Sequence, residues 1–309
     1  MRQNVSMTQV LEIANDHWQV GLLPTTGGSV AYGRFRVGGA WHDVLRPTPK
    51  ESLSIVPETA SYPLVPWSNR IAEGKLRWAG RTYQLRVNFP DGTAIHGTAS
   101  EYPWQVVESS PTHAVLEFAS RDYYGVNFPW TFTARFTYRL EGDKFIWTYG
   151  ITNSDHETFP AGFGHHPYFE RSVAGSRTAE LQLNCEQAYE AEVCIPFGEA
   201  GPIRPDADFR ASRVIGGAFV DDCYTGRTSP TLATITWPDT LALDIDADDL
   251  LSHAVVYIPE GEPFFAVEPV SNANDPFNLA ERGIASHNLI LVQPGQHVSA
   301  SFSLTGRPL

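Results

Sequence analysis

Four short segments place polar or ionisable side chains inside otherwise apolar stretches of the sequence. They contain Asn69-Arg70, His96, His165-His166 and Glu268. An imidazole and a carboxylate within hydrogen-bond reach of one ligand can serve as general acid and general base. Glu268 is the most informative of them, because a carboxylate inside the apolar run 263–270 is costly to bury without a partner. These segments therefore predict a site for proton-transfer chemistry.

Each of these side chains also has an ordinary structural interpretation. Glu268 could face solvent or pair with an arginine, and a lone histidine such as His96 is often a hydrogen-bonded structural residue. His165 and His166 point to opposite faces if the backbone is extended, so only one of them easily enters a given pocket. A metal site built from the histidines and Glu268 is conceivable, but their spacing matches no known metal motif, and we expect no metal.

The residues beside these groups suit the recognition of a sugar. Arg70 and Asn69 offer hydrogen bonds to ligand hydroxyls, although an ordinary ion pair is the alternative for Arg70. The neighbouring aromatic residues are Trp67, Tyr168, Phe169, Phe264 and Phe265. Aromatic faces pack against the C–H face of a pyranose while polar groups take its hydroxyls. For any single aromatic residue, packing in the core is the alternative.

The elements that must position these residues are predicted to be strands. Apolar and polar residues alternate over 132–140 and again over 145–151, and the glycine-containing turn 141–144 predicts that the two runs form a β-hairpin. Three further strand pairs are predicted, namely 75–78 with 82–87, 232–237 with 241–245, and 288–292 with 298–304. The acidic stretch Asp244–Asp249 is predicted to be a solvated loop.

The distribution of glycine and proline points to an all-β fold. Helical periodicity is scarce, and 25 glycines and 23 prolines interrupt most candidate helices. Many short strands with turn signals between them indicate a sandwich or a barrel. No linker, composition shift or internal repeat divides the chain, so we expect one domain over residues 1–309.

Composition excludes several classes of partner. The 22 Lys+Arg and 35 Asp+Glu residues give a formal net charge of −13, which repels nucleic acid and anionic membrane. No apolar run approaches the roughly 20 residues that cross a bilayer, and the N-terminal segment lacks the apolar core of a secretory signal. Cys185, Cys194 and Cys223 have no CxxC spacing, so we expect reduced thiols and a cytoplasmic protein.

Taken in order, these segments resemble the aldose 1-epimerase (galactose mutarotase) family. The shared pattern runs from Asn69-Arg70 through Ala-Ile-His96-Gly97 and Gly-His165-His166-Pro-Tyr-Phe to a late aspartate and Glu268. Similar segments lie near both ends, with Leu23-Pro24 at the start and 291–296 near the finish. The resemblance covers nearly the whole chain. It implies a large antiparallel β-sandwich, the galactose mutarotase-like supersandwich, with an open sugar groove.

The resemblance also implies roles for the ionisable residues. Glu268 matches the family's catalytic base, His166 its catalytic acid and His96 its second histidine. Free Glu and His side chains, with pKa values of about 4.3 and 6.5, are expected to form an ionised pair near neutrality. Their mutual attraction is expected to favour both charged forms further. The reaction needs no metal, nucleotide or other cofactor, and the sequence has no Rossmann or P-loop fingerprint.

The remaining matches concern recognition of the sugar. The family's substrate-binding arginine matches Arg70, and we expect the adjacent Asn69 to contribute. The sugar-binding aspartate matches Asp221 by its spacing to the next aromatic residue, and Asp222 stays a candidate. Two positions depart from the residues usual in galactose mutarotases, Glu170 and His165. The resemblance therefore does not specify which sugar is bound.

The implied function is an isomerase reaction on a small-molecule sugar, the interconversion of the α and β anomers of a free aldose. A non-catalytic sugar-binding or sugar-sensing protein on the same fold is one alternative. An epimerase acting on a sugar phosphate is another, and it would need two or more arginines or lysines at the groove. A glycoside hydrolase would use Asp221 or Asp222 with Glu268 as its two carboxylates. The oligomeric state does not follow from the sequence.

Overall fold

The computed structural model describes residues 9–309, so the first eight residues of the N-terminal segment examined for a secretory signal lie outside it. Within this range the helices are short. They are α1 (Pro276–Glu281) and seven 3₁₀ turns at Lys50–Ser52, Val56–Glu58, Ala72–Gly74, Ala99–Glu101, Ser120–Asp122, Pro205–Ala207 and Ala285–His287. Across the described range, every helix is too short or too polar to span a bilayer.

Strands dominate the described residues. In chain order they are β1 (Leu11–Ala14), β2 (Trp18–Leu23), β3 (Ser29–Val37), β4 (Ala40–Leu45), β5 (Pro63–Leu64), β6 (Arg70–Ile71), β7 (Lys75–Trp78), β8 (Arg81–Gln84), β9 (Ala94–Ile95), β10 (Gln105–Ser110), β11 (His113–Ala119), β12 (Phe132–Glu141), β13 (Lys144–Asn153), β14 (Phe159–Ala161), β15 (Gly164–His165), β16 (Tyr168–Glu170), β17 (Glu180–Leu183), β18 (Cys185–Ala188), β19 (Ala191–Glu192), β20 (Ile195–Pro196), β21 (Arg213–Val214), β22 (Val220–Arg227), β23 (Thr231–Trp237), β24 (Leu241–Ala247), β25 (His253–Ile258), β26 (Phe264–Val270), β27 (Ile290–Val292) and β28 (His297–Pro308).

Two large antiparallel sheets organise these strands. The first has eleven strands and runs β1-β2-β3-β4-β16-β26-β25-β22-β18, with β15 pairing β26 and β5 at its side. The second has nine strands in the order β10-β11-β12-β13-β28-β24-β23-β17-β21. Four two-stranded sheets complete the topology of the described residues. The all-β prediction is therefore confirmed, and the site is built on the first sheet.

The hairpin β12–β13 shows how the alternating pattern becomes a sheet. Phe136 faces Tyr149 and Tyr138 faces Trp147 across the two strands, and all four side chains are buried. The intervening residues of β12 lie half-buried or exposed on the other face. Successive side chains of a strand point to opposite faces, so one apolar face results. Gly142 has φ +56° in the turn, a conformation that glycine adopts without steric cost.

The two large sheets pack face to face around one apolar core. This core extends in sequence from Ile13 in the first sheet to Leu304 in the second. At Gly306 in β28, a Cβ atom would lie 2.5 Å from the ring of Phe35 in β3, so only glycine permits this close approach of the sheets. These contacts confirm the sandwich architecture. The single-domain organisation stays a prediction, which the continuous core supports.

Two of the three other predicted strand pairs are confirmed, and one is wrong. β7 pairs with β8, and β23 pairs with β24. β27 does not pair with β28, because it binds the short strand β14 while β28 lies between β13 and β24. The turn 293–296 does form, with a hydrogen bond from Gln296 N to Gln293 O of 2.9 Å. The turn thus reverses the direction of the chain, but the two strands that flank it do not pair with each other.

The prediction of a solvated loop over Asp244–Asp249 is also wrong for most of its length, because β24 extends to Ala247. Asp244 and Asp246 alternate with the buried Ile245, so the acidic side chains occupy the outer face of a strand. There Asp244 accepts a hydrogen bond from Thr234 and binds Arg307 on a neighbouring strand. Cross-strand partners, which the local sequence does not show, stabilise the charged residues.

Candidate active site

A cavity of about 390 Å³ opens on the first sheet where β16, β22, β25 and β26 meet the small sheet β6–β9. All six site residues named from the sequence line it, namely Asn69, Arg70, His96, His166, Asp221 and Glu268. They come from five separate segments of the chain. The fold therefore brings together the residues that the sequence analysis singled out.

Glu268 and His166 form the centre of the cavity. Glu268 lies in the middle of β26 and opposite Val255 of β25, and the residue is 1% exposed. Its Oε1 lies 3.1 Å from Nε2 of His166. Within the described residues, the buried Oε2 of Glu268 has no hydrogen-bond partner. A buried oxygen without a partner is costly, so a ligand hydroxyl placed there would be favoured.

Aromatic side chains enclose the imidazole of His166. The ring of Tyr62 stacks on it with centroids 5.0 Å apart and planes 25° apart. The ring of Tyr168 lies on it at 4.4 Å. Behind Tyr168, the guanidinium of Arg46 packs 3.8 Å from that ring and donates to the carbonyls of Pro57 and Thr59. The imidazole is thus held in one orientation and shielded from water.

Burial changes the proton affinities of the central pair in opposite directions. It raises the pKa of Glu268 well above its usual value, and the carboxylate of Asp221 raises it further. It lowers the pKa of His166 to about 3, with Arg46 and Arg70 acting in the same direction. Desolvation disfavours the charged form of either group. In the free protein, burial therefore opposes the ionised pair that was expected from the values in water.

His96 approaches the pair from the neighbouring small sheet. Its ring centroid lies 5.3 Å from that of His166. Its backbone has φ +60°, and Asn69 N donates to its Nδ1 at 3.3 Å. Because Nδ1 accepts that hydrogen bond it carries no hydrogen, so the ring is neutral with its hydrogen on Nε2, and burial favours this state by lowering the pKa of His96. His96 can therefore donate one hydrogen bond to a ligand oxygen.

A glycine next to His96 allows this strained placement. Gly97 has φ +72°, and a Cβ atom there would lie 2.1 Å from the carbonyl oxygen of Val65. Asn69 on the other side of the contact also has positive φ, at 58°. Positive φ is uncommon for residues other than glycine, and such residues concentrate at functional sites. The backbone here thus adopts an unfavourable conformation that places the side chain of His96 in the cavity.

Arg70 is held by polar groups on several sides. Its Nε donates to Asp91 at 2.8 Å, and its Nη1 lies 3.3 Å from Oδ1 of Asn69 and 3.5 Å from Oδ2 of Asp221. The ring of Phe89 lies 5.3 Å from the guanidinium. Asn69 also accepts the backbone N–H of Arg70. The arginine is therefore fixed as a recognition group, and its charge is balanced locally.

The structure separates the two candidate aspartates. Asp221 lines the cavity, whereas Asp222 binds Arg204 at 2.9 Å outside it. The two residues are adjacent in β22, so their side chains point to opposite faces of the sheet. Burial raises the pKa of Asp221, and Arg70 opposes that shift. Of the two candidates, Asp221 is the one placed to reach a bound sugar.

The same alternation separates the adjacent histidines. His165 is completely buried on the core side, where its Nδ1 contacts Ser61 Oγ and its Nε2 lies 3.0 Å from Tyr138 Oη. Tyr138 donates its hydroxyl hydrogen to Gly28 O, so Nε2 of His165 must be the donor in that contact. Of these two histidines, only His166 lines the cavity.

Among the aromatic residues proposed for sugar binding, only Tyr168 lines the cavity. Trp67 is fully buried against Phe128 and Phe277, and Phe169 packs on Phe265 in the core. Phe264 is half-buried against Tyr168. Phe169 follows Tyr168 and Phe265 follows Phe264, and both face the core because successive side chains of a strand point to opposite faces. Selecting aromatic residues by their proximity in sequence to the polar groups therefore overestimated how many of them line the cavity.

Several lining residues were not found from the sequence. They are Tyr62, Phe89 and Tyr257, and Asp91, which binds Arg70 without lining the cavity, was not found either. Tyr62 sits in an ordinary strand pattern, and Asp91-Gly92 looks like a simple turn. Only the run of aromatic and polar residues at 88–91 shortly before His96 could have indicated a loop at the site. Among residues 9–309, no group of three or more His, Cys, Asp or Glu side chains is arranged to hold a metal ion.

Comparison with known proteins places these features in a family context. The family model described as Aldose 1-epimerase matches residues 23–305. The uncharacterised protein YphB of Escherichia coli K12 is 26% identical over 283 residues, which cover 87% of this chain and 91% of that protein.

Solved structures show the same fold at low identity. A galactose mutarotase-like protein from Clostridium acetobutylicum superposes with a TM-score of 0.83 at 16% identity, covering 97% of this chain and 95% of that chain. A galactose 1-epimerase from Lactobacillus acidophilus NCFM gives a TM-score of 0.78 at 15% identity, covering 100% and 97%. These likenesses confirm the galactose mutarotase-like sandwich.

Proposed function

The chain belongs to the aldose 1-epimerase family, and from this premise we propose that it interconverts the α and β anomers of a free aldose. The observation that carries the proposal is the contact between His166 Nε2 and Glu268 Oε1, 3.1 Å long, inside a cavity with polar side chains suited to hydroxyl groups. Anomer exchange needs one acid and one base acting on the same sugar ring. The pair supplies both.

The proposed reaction begins with opening of the ring. Glu268 as carboxylate takes the proton of the C1 hydroxyl while His166 as imidazolium protonates the ring oxygen O5. The C1–O5 bond breaks and C1 becomes an aldehyde. After rotation about the C1–C2 bond, the O5 hydroxyl attacks the opposite face of the aldehyde. His166 takes back the proton of O5 while Glu268 returns its proton to O1. Nothing is oxidised or consumed, so the cycle needs no co-reactant.

The proton state of the buried pair is compatible with this cycle. A carboxylic acid beside a neutral imidazole contains as many protons as a carboxylate beside an imidazolium. The two forms differ by transfer of one proton along the 3.1 Å contact. Burial favours the neutral form in the free protein, and each form holds one donor and one acceptor. Hydrogen bonds from sugar hydroxyls to the carboxylate would shift the pair toward the reactive ionised form.

The charges around the cavity favour a neutral sugar over a sugar phosphate. Among the lining residues within 9–309, Arg70 is the one arginine or lysine, and Asp91 and Asp221 balance its charge. Glu101 and Glu268 add further carboxyl groups. A phosphate would meet more acidic than basic groups, and that arrangement is unfavourable at short range. A sugar phosphate is therefore not the substrate we propose.

The proposal is tested by following anomer exchange of freshly dissolved α-glucose, α-galactose and other aldoses by polarimetry. We expect acceleration above the spontaneous rate, little effect on glucose 6-phosphate, and no hydrolysis of nitrophenyl glycosides. Wild-type protein that binds these sugars without accelerating exchange would instead support a sensing role. Release of nitrophenol would support a hydrolase that uses Asp221 and Glu268 as its carboxylates.

A single substitution tests the base directly. Glu268→Gln keeps the shape of the side chain but cannot accept the O1 proton, so we expect exchange to slow by at least about 10²-fold while sugar binding survives. The matched control is Glu262→Gln, which makes the same change at an exposed residue just before β26. Retention of more than about a tenth of the wild-type acceleration by Glu268→Gln would exclude this residue as the base.

The compartment belongs to the same proposal. The three cysteines are free within the described residues, with Cys185 and Cys223 buried. We propose a cytoplasmic protein, because a reducing compartment keeps such thiols unpaired. Labelling of cell fractions with an antibody to this chain would test the assignment.

A further inference from the structure

A short hairpin outside the large sheets contacts Asp221, one of the residues that line the cavity. It consists of β19 and β20, which pair Glu192 with Ile195, so Val193 and Cys194 form a two-residue turn. Both turn residues have positive φ, at 48° and 60°. A turn of this kind usually contains Asn, Asp or Gly, and a β-branched valine there is strained. The hairpin therefore adopts a costly geometry at its tip.

The tip is fastened from both sides. The carbonyl oxygen of Cys194 accepts a hydrogen bond of 3.0 Å from Nδ2 of Asn274, a buried residue that follows β26. The thiol of Cys194 donates toward Asp221, with Sγ 3.0 Å from Oδ2 and 3.6 Å from the backbone oxygen. The strained turn thus presents one thiol to one carboxylate.

That carboxylate is the aspartate of the candidate site. Within the described part of the chain, Cys194 and Arg70 both contact the carboxylate of Asp221 through the same oxygen, Oδ2. Two neighbours on the same oxygen fix the rotation of the carboxylate, and they leave Oδ1 to accept from a ligand hydroxyl. A thiol is a weak donor, but its contribution is larger when the acceptor is ionised and shielded from water.

We propose that Cys194 is a positioning residue that holds the carboxylate of Asp221 in the orientation that binds the sugar hydroxyls. This inference rests on the proposed function for the identity of the ligand. It assigns Cys194 no contact with the reacting atoms C1, O1 and O5. Loss of the thiol should therefore weaken sugar binding and leave the acid-base step intact.

Three variants test this role through steady-state anomer exchange and sugar titration. Cys194→Ala removes the donor, and we expect KM to rise about fivefold with kcat unchanged, as for the loss of one hydrogen bond. Cys194→Ser keeps a donor in a slightly shorter side chain, so it should recover a large part of the wild-type KM. Cys185→Ala, which removes a buried thiol elsewhere, should leave KM unchanged in the folded protein.

The pH dependence separates positioning from a merely structural role. The hydrogen bond from Cys194 lowers the pKa of Asp221, against the rise that burial causes. Without the thiol that pKa moves upward, so the KM difference between Cys194→Ala and wild type should widen as the pH falls. A structural defect would change KM equally at all pH values.

The outcomes distinguish the two proposals. If wild type is active but Cys194→Ala has the wild-type KM, or Cys194→Ser behaves like Cys194→Ala, the positioning role is wrong and the proposed function stands. If wild type does not accelerate exchange, the proposed function is wrong, and the dissociation constants of the same variants for sugar still decide the role of Cys194. Absence of sugar binding by wild type would overturn both.

Discussion

His165 and His166 are adjacent in sequence and are the same residue type, yet their side chains lie on opposite sides of the first sheet. His165 is enclosed in the core by Ser61, Tyr138 and the ring of Trp147, whose centroid lies 4.6 Å away. His166 lies in the cavity against Glu268. Burial lowers the pKa of both imidazoles, so desolvation alone does not distinguish them.

The difference lies in what each imidazole contacts. The partners of His165 are hydroxyl groups that keep their protons near neutrality, and both ring nitrogens are engaged. The partner of His166 is a carboxyl group that can exchange a proton with it. A buried histidine therefore becomes a candidate for chemistry when a titratable partner and a cavity are added, not when its pKa is shifted. The following predictions test that comparison.

The largest expected effect is on activity. We expect His166→Gln to slow anomer exchange by about 10²–10⁴-fold, because the ring oxygen loses its proton donor. His165→Gln is the matched control, and its folded fraction should keep most of the activity. Rates are measured by polarimetry above the spontaneous background, after folding is verified by circular dichroism. Equal losses in both variants would remove the distinction drawn between the two histidines.

The next largest effect is on stability, where substitution of His165 should cost more than substitution of His166. His165→Leu leaves the buried hydroxyl of Ser61 without its acceptor, and Tyr138 loses one partner, so the free energy of unfolding should fall by about 2–4 kcal/mol. His166→Leu should cost less, about 1 kcal/mol, because water in the adjoining cavity can replace the imidazole as the partner of Glu268. Urea denaturation measures both values. A larger loss at His166 would show that its role is structural.

A smaller effect concerns the pH dependence of that stability. The pKa of His165 is lowered by burial, so its contribution is present above the unfolded value near 6.5 and is lost as the pH falls below it. The stability gap between wild type and His165→Leu should therefore narrow by about 1.4 kcal/mol between pH 7.5 and 5.5. A gap that stays constant in urea titrations at the two pH values would show that the fold does not lower the pKa of His165.

The smallest expected effect concerns another pair of adjacent residues, the aspartates Asp221 and Asp222 of β22, which also point to opposite faces. Asp221→Asn weakens the contact with Arg70 and the acceptor for sugar hydroxyls, and we expect KM to rise about fivefold. Asp222→Asn removes a partly exposed ion pair with Arg204, which is worth less than about 1 kcal/mol, and KM should stay within about twofold. If Asp222→Asn raises KM more, the assignment of the two faces is wrong for the bound state.

Much of the architecture could be predicted because it depends on local patterns. The alternation over 132–151 was enough to predict β12, β13 and the turn between them, since side-chain direction along a strand has a period of two. The same rule separated His165 from His166 before any contact was known. The order of the polar segments identified the family, and with it the six residues that line the cavity.

Strand partners and contacts at the site depended on the tertiary structure. The turn 293–296 looked like the centre of a hairpin, but β28 is taken up between β13 and β24 because both offer it long edges and a shared core. Glu268 and His166 could each be suspected alone. Their 3.1 Å contact, the enclosure by Tyr62 and the approach of Cys194 to Asp221 join segments far apart in the chain.

The proton states mark the boundary between the two kinds of information. The sequence determined which residues could titrate, and their values in water suggested an ionised pair of Glu268 and His166. Burial in the folded chain raises the pKa of one and lowers that of the other. Residue type is a local property, whereas the free energy of a charge depends on every atom that replaces water around it, and only the tertiary structure decides which atoms those are.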